Sequence, residues 1–540
     1  MAGQYGGQPI IIDPRKQSTK GKDALAMNIK AAKIVAGIVK TTLGPKGMDK
    51  MLVNAVGDVV ITNDGAMILK GMEIEHPTAK MIVEVARTQE DIAGDGTTSA
   101  VVLAGALLEQ AEGLIDEGVH PRVIINGFRD ATERSLKVLE DFAVDVTEND
   151  REILEEIAKT AIAGKSSEAF SDLLAELCID AILKVQKDGK VNVNDDILLR
   201  QDPGTSISKT ELLEGVMITK SAVHSAMPRQ ITNAKIALLD APLEGRKTAN
   251  KSKLQIHSSE QLEAFIQQEK DDLKKTVETV IATGANVVFV SKNIDDKAAD
   301  MLQKKGVLAI KRTNDDDMKH LSYTTGARLV RKINEMTEKE LGSAGYVEQK
   351  GEFALAKTYI KDCASAKTVT IMIRGGTEHV TDNLERTIDD VLHVVKAVFE
   401  DEKIVAGGGA VEIEIAQNLR SYASSVQGRE QLAISAFADA IEDIPRAIAD
   451  NAGMDSTDIL IHLRAEHIEN KNIGLDVYTG DTVDMIAKGI VDPLRVKTQA
   501  IRSASEVTNM ILRVDNMLRA ERKEMMDVKP EHNIHNYNRV

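Results

Sequence analysis

The sequence predicts a multidomain protein of mixed α+β and α/β class, with a mostly helical domain built from both chain ends and an α/β domain carried between them. Three observations predict this. The 540 residues correspond to about three or four domains at roughly 150 residues each. Apolar residues recur at helical spacing up to about residue 145 and again from Glu378 onward. Between 230 and 375, short β-rich runs alternate with helical segments, the rhythm of an α/β layer.

Residues 23–43 place Leu25, Ile29, Ile34, Ile38 and Val39 near helical intervals and predict the first helix. MLV at 51 and DVVIT at 58, joined through Asn54 to Gly57, predict a hairpin. From Thr78 to Phe142 the pattern is helical, broken at Gly94 to Gly96 and at Gly118 to Pro121. The texture changes at 146–152. A helical stretch to Lys187 is followed by KVNVN at 190 and ISKTELLEGVMIT at 207, both alternating as strands do. IALLD at 236, NVVFVS at 286, VLAI at 307 and TVTIMI at 368 are the strands expected of the middle region.

Residues 246–281 join a polar, lysine-rich lead to a helix capped at Ser258 or Ser259. Leu262, Phe265, Ile266, Leu273, Val277, Val280 and Ile281 fall on one stripe of it. That pattern fits a solvated surface helix, and equally a protruding element whose stripe meets a partner. Helix resumes from Glu378 to about Glu402, and Gly407 to Gly409 open a further helical region expected to reach Lys523.

Apolar residues at 43% and charged residues at 28% indicate a folded chain. Sixty-eight Lys plus Arg against 84 Asp plus Glu leave a net charge of −16, which repels phosphate backbones and anionic lipid. With 3% aromatics and no Trp, the stacking platforms of single-strand binders are missing, so no nucleic-acid partner is expected. Cys178 and Cys363 are the only cysteines, too few for a disulfide framework or a Cys-based zinc site, and suit a reducing compartment. The N-terminal apolar run spans only Ile10 to Ile12, too short for a signal peptide. Ala100 to Leu108, AVVLAGALL, is about half of the roughly 20 residues of a membrane span. A soluble, cytoplasmic protein is expected, with no membrane partner.

GxxxxGK[ST] does not occur, since Gly164-Lys165-Ser166 is preceded by Lys159 where the first Gly belongs, and GxGxxG and HExxH are also absent. The phosphate-binding candidate is Gly94-Asp95-Gly96-Thr97-Thr98-Ser99, leading into an apolar helix. Its glycines let backbone approach an anion, its hydroxyls and first-turn N–H groups are donors, and Asp95 stands where a phosphate-bound Mg²⁺ needs an oxygen. The same residues also fit a capped helix start in a turn. Leu43-Gly44-Pro45-Lys46-Gly47 and Gly407-Gly408-Gly409 can each present bare backbone, or serve as ordinary helix caps. Asp64, in Thr62-Asn63-Asp64-Gly65, and the pair Asp389-Asp390 are the carboxylate candidates, and also fit solvated surface acids. With Ile388, Val391 and Leu392 on the buried stripe, only one of the pair can face a given site. His393 beside them reads as structural.

In combination the motifs are more specific. TLGPKGMDK at 42–50, ITNDGA at 61–66, GDGTTS at 94–99, VAGGGAVE at 405–412 and GIVDPLRVK at 489–497 stand in chaperonin order and spacing. From about residue 9 to 525 the sequence resembles the group II chaperonins, most closely their archaeal thermosome branch.

The resemblance implies a mostly helical equatorial ATP-binding domain (1–147 and 406–540), a small α/β intermediate hinge domain (148–216 and 369–405), and an α/β apical substrate-binding domain (217–368). The helical protrusion at about 246–281 would be a built-in lid. It further implies an ATP-dependent chaperone whose two stacked rings, typically eight-membered and built from copies or paralogous subunits, enclose non-native protein clients.

By the same resemblance Thr42, Leu43, Gly44, Pro45 and Asn63 would lie at the nucleotide and Gly96, Thr97, Thr98 and Ser99 at its phosphates. Asp95 would ligate Mg²⁺, Gly408 would lie against the sugar, Asp492 would bind the ribose, and Asp476, Val477 and Tyr478 would lie near the adenine. Asp390 would orient the attacking water with help from Asp64, and Lys165 would sense the γ-phosphate.

Three departures from the family pattern are Ser99 for a third Thr, Met67 where Thr is common, and the tail DVKPEHNIHNYNRV in place of a Gly- and Met-rich one. A small-molecule phosphotransferase and a structural ring or filament protein are the competing readings.

Overall fold

Three hydrophobic cores organise the chain. A computed structural model describes residues 18–53, 57–147, 150–187, 189–245, 259–351, 356–363 and 368–518. Ile10 to Ile12, residues 54–56, the lead 246–258 and the tail 527–540 lie outside the described residues.

The first core gathers helices from both chain ends around Thr97–Asp116. Ala100 to Leu108 are all buried. Gly105 sits against Ala36 so closely that a side chain would not fit, which lets this helix lie flush on Lys22–Lys40. At 20 residues it is twice the apolar run seen in the sequence, and by length and composition could cross a membrane. Protein covers it instead: it packs on Lys22–Lys40, Pro77–Ala93, Glu430–Ile441 and Leu494–Leu512. Phe128 meets Phe437 edge-on at 5.5 Å beside it.

The first helix stops at Lys40, short of the expected residue 43. Thr42 turns the chain by donating its N–H and its Oγ1 to the Val39 carbonyl, and Asn451 Nδ2 clamps the carbonyls of Lys40 and Leu43. The hairpin is present as Lys50–Val53 paired with Val59–Thr62.

The region after Gly409 is not one helical run. Strands Ile473–Leu475, Thr482–Asp484 and Val491–Pro493 interrupt it, and Asn516–Leu518 closes it by pairing with Ser18–Lys20. Gly474, Gly480 and the β-branched residues between them override the helical periodicity.

The second core lies around a mixed sheet ordered Leu308–Ile310, Val287–Val290, Gln230–Leu239, Gly342–Lys350, Lys357–Lys361, Gly215–Ile218. Helix Ser259–Ala282 packs here through Leu273, Val277 and Val280. That half of its stripe is therefore core rather than partner-facing.

The third core is formed by Arg151–Ile162, Ser171–Val185 and Glu378–Asp401 on a three-stranded sheet. Val369–Gly375 pairs parallel with Ile197–Pro203, so TVTIMI belongs to this sheet and not to the middle one. KVNVN is not a strand. Asn192 opens the short turn Val193–Asp196, its Nδ2 donating to Asp195 at 2.6 Å, and the strand starts only at Ile197. Likewise ISKTELLEGVMIT divides into two short strands, Glu211–Leu213 and Gly215–Ile218, in different sheets. Cys178 and Cys363 are buried free thiols, and burial pushes that of Cys363 up to about 12.

Buried carboxylates pin the late helices together. Glu442 accepts from Arg420 and Arg464, and Glu414 accepts from His467 Nε2 at 3.0 Å and Lys471 Nζ at 2.8 Å. The His467 hydrogen bond is the main reason that the Glu414 carboxyl is held down to about 2. A depressed carboxyl stabilises the fold above the ordinary carboxylate range and ceases to do so as pH falls toward 2. Glu414→Gln is expected to cost about 1–2 kcal/mol at neutral pH after solvent screening. In urea titrations the gap to wild type should close between about pH 4.5 and 2; a pH-independent gap would contradict the assignment.

Candidate active site

Between the first and third cores lies a cavity of about 260 Å³. Every residue to which the resemblance gives a role lines it, although they come from segments as distant as Thr42 and Asp492.

One wall is the turn between two helices. Gly94 ends Pro77–Ala93 at φ 73° and Gly96 starts Thr97–Asp116 at φ 77°, both left-handed conformations that glycine adopts without strain. Gln89, fully buried, donates from Nε2 to the carbonyls of Asp95 at 2.8 Å and Val496 at 3.1 Å, locking the turn to the last long helix. A Cβ at Gly96 would lie 2.7 Å from Val496 Cγ1, and one at Gly94 would overlap the Cβ of His393. The helix start has no side-chain cap, so the Thr97, Thr98 and Ser99 end presents bare backbone donors at the cavity. The alternative of a capped helix start is thereby set aside.

Asp64 caps the short helix Gly65–Gly71, accepting from Ala66 N at 3.1 Å and Met67 N at 3.0 Å, and receives Thr97 Oγ1 at 3.3 Å. It is a fixed acceptor, not a solvated acid. Met67 contributes that backbone N–H. Asn63 Nδ2 donates to the Gly164 carbonyl at 3.2 Å, and Gly164 lies against Pro45 too closely for a side chain. The loop that carries Lys165 is thus seated on both the Leu43 to Gly47 turn and the Asp64 turn.

Lys165 Nζ reaches Asp390 Oδ2 at 2.6 Å. Loss of water, together with Asp95 and Asp64 nearby, pushes the Asp390 carboxyl up to about 7 despite that ammonium. Burial likewise raises Asp95, with Lys165 and the Gly96 N–H pulling the other way. Burial pulls Lys165 down, but the three carboxylates outweigh it and leave the ammonium raised. Asp389, one residue away, is half exposed, as the helix geometry requires. His393 donates from Nδ1 to the Asp389 carbonyl at 2.9 Å and supports the Gly94 turn, a structural role.

The far end is built by Gly407 to Gly409 and strand Val491–Pro493. Gly408, at φ 59°, leaves no room for a side chain beside Met485 and the Leu475 carbonyl, and accepts from Leu475 N at 2.8 Å. Asp476 is buried and accepts from Tyr478 N at 2.9 Å. Tyr478, half exposed, donates its hydroxyl to Glu168 and lies 5.1 Å below Lys46 Nζ. Asp492 pairs in the strand opposite Val405, and its Oδ2 meets Lys497 Nζ at 3.0 Å.

Sequence reading missed Lys497, Gln89 and Asn451. Lys497 ends the motif GIVDPLRVK and was legible there as a cation beside Asp492. Gln89 and Asn451 act through backbone carbonyls, which leave no pattern in a sequence.

The chain matches the TCP-1/cpn60 chaperonin family over residues 35–522. It is 50% identical to a thermosome subunit of Methanopyrus kandleri over 95% of both chains. It is also 48% and 46% identical to the thermosome subunits beta and alpha of Methanothermobacter thermautotrophicus, again over 95% of both chains. The chain therefore belongs to the TCP-1/cpn60 chaperonin family, in its group II branch, and is an ATP-dependent protein-folding chaperone with ATPase activity.

Proposed function

We propose that this cavity takes ATP with Mg²⁺ and couples its hydrolysis to closure of a lid over a chamber for non-native proteins. The observation that carries the reading is the meeting of two cores at one site. Asp64 and Asp95 are fixed by the first core, whereas Asp390 and Lys165 are carried by the third. A site shared in this way is complete only when the two are drawn together.

The charge balance supports a divalent cation. Five aspartates (64, 95, 390, 476, 492) and two lysines (165, 497) line the cavity, an excess of negative charge against an anionic substrate. The described residues hold no group of three or more His, Cys, Asp or Glu placed for a metal. A single carboxylate, Asp95, completed by phosphate oxygens and water suits Mg²⁺. When bound, Mg²⁺ supplies positive charge against the phosphate oxygens.

Gly96, Thr97, Thr98 and Ser99 hold the phosphates, with Thr42, Leu43, Gly44, Pro45 and Asn63 bordering the nucleotide. Gly408 and Asp492 take the sugar, and Asp476, Val477 and Tyr478 flank the base. Lys165 occupies Asp390 Oδ2, which leaves Oδ1 to orient a water, with Asp64 assisting. Positioning of this kind suffices for phosphoryl transfer. Through the Asp390 pair, Lys165 reports the phosphate end of the cavity to the hinge.

The equatorial (1–147, 406–540), intermediate (148–216, 369–405) and apical (217–368) division is supported by the three cores, whose buried members follow these ranges apart from Val146, Leu198, Val216, Val405 and Val491. Two stacked rings, eight subunits each, from copies or paralogues, in the cytoplasm, complete the reading. Its support is the subunit names of the relatives and a hairpin whose Met51, Val53 and Ile61 are exposed and to which, among the described residues, no further strand pairs.

Light scattering and negative-stain imaging of the purified protein, with and without Mg-ATP and aluminium fluoride, test this. A double ring of about a megadalton that closes with nucleotide is expected from about sixteen such chains. A small particle of constant shape would overturn the chamber and favour a phosphotransferase.

A further inference from the structure

Lys497 sits where a lysine is doubly disfavoured. It lies in the first turn of Leu494–Leu512, the positive end of the helix dipole, and its side chain is only 14% exposed. Two carboxylates hold it there: Asp492 Oδ2 and Glu412 Oε1, each at 3.0 Å from Nζ. Glu412 is itself buried, on the first turn of the helix that Gly409 opens, and its Oε2 has no hydrogen-bond partner among the described residues. Lys497 and Asp492 both line the cavity. Val496, the residue before, backs Gly96 and is held by Gln89, so the backbone that carries Lys497 is fixed against the Asp95–Gly96 turn.

We infer that Lys497 is a positioning residue for the nucleoside end of the substrate: by holding Asp492 Oδ2 it presents the other carboxylate oxygen to the ribose hydroxyls and sets discrimination between ribose and 2′-deoxyribose. This rests on the proposed ribose role of Asp492. Without the ammonium, Asp492 and Glu412 would repel each other, and Asp492 would turn to water or lose its charge. The hydrogen bond from the ribose 2′-hydroxyl would then be lost while the phosphate end stays intact. The pKa of Lys497, strongly raised by these two carboxylates against the pull of burial, agrees with a permanent charge at this place.

The test is binding of ATP and 2′-deoxy-ATP, each with Mg²⁺, to the assembled full chain by calorimetry. Wild type is expected to prefer ATP by about tenfold, the worth of one good hydrogen bond to a charged group. Lys497→Met should weaken ATP by about tenfold, leave 2′-deoxy-ATP nearly unchanged, and bring the ratio close to one. Lys497→Arg keeps the charge with different donor geometry and should fall between, and it decides the matter if Lys497→Met fails to assemble. Equal weakening of both nucleotides, or an unchanged ratio, would overturn the proposal and leave Lys497 a structural residue. Asp492→Asn separates the two ideas. If it keeps the wild-type ratio, the ribose reading itself fails; if it abolishes the ratio while the Lys497 variants keep it, only the role of Lys497 fails.

Discussion

Asp390→Ala is expected to bind nucleotide with near wild-type affinity and to hydrolyse it about 10²- to 10⁴-fold more slowly, the usual worth of a positioned acid or base. The reason is spatial. Asp390 belongs to the third core, while the glycine turn and helix start that would hold phosphates belong to the first. Its removal leaves the phosphate-side backbone donors untouched. Asp389→Ala is the matched control: same helix, adjacent residue, side chain half exposed and directed elsewhere, with turnover expected within about twofold of wild type. Since Asp390→Ala also deprives the buried Lys165 of its closest partner, Asp390→Asn is a necessary companion, keeping volume and an acceptor oxygen while removing the charge. Single-turnover hydrolysis with bound nucleotide measured separately distinguishes the steps. Normal turnover in either Asp390 variant would remove the residue from the reaction.

What could be read from the sequence follows how local each signal is. The glycine turns at 94–96 and 407–409 were legible because glycine at a left-handed position is a local necessity, and the helices around them because aliphatic spacing is repetitive. KVNVN misled because its alternation imitates a strand, while the Asn192 side chain settles the backbone otherwise. The strands between 473 and 493 were hidden inside a region of helical texture because each is only three residues long, too short for any period to register. The stripe of Ser259–Ala282 was ambiguous for another reason: periodicity reports which face is apolar, not what covers it, and Leu273, Val277 and Val280 are covered by the second core. As to the cavity, its membership was read from motif order, whereas its chemistry was not. Nothing in TIDD and AGK, more than two hundred residues apart, says that Lys165 and Asp390 form an ion pair or that burial lifts the Asp390 carboxyl to about 7.

Gly94→Ala should be nearly as damaging as loss of Asp390, although it adds only one methyl group and touches no substrate. Two effects combine. At φ 73° a side chain costs about 1–2 kcal/mol, and the new Cβ would occupy the place of His393 Cβ, an atom fixed to the backbone of helix Glu378–Asp401 and unable to swing aside. Either the turn that carries Asp95 moves away or the helix that carries Asp390 does, and in both cases the two aspartates separate. A displacement of about 1 Å at such a site costs on the order of 100-fold in rate. The contact can be isolated by a double-mutant cycle. His393→Gly removes the obstructing Cβ at a helix-propensity cost of about 1 kcal/mol, and in its background Gly94→Ala should lose much less turnover than it does in the wild type, the remainder reflecting backbone strain. Full additivity of the two substitutions in the ATPase rate would mean that Gly94 is needed only for its conformation, and that the depth to which the third core seats on the phosphate turn is set elsewhere.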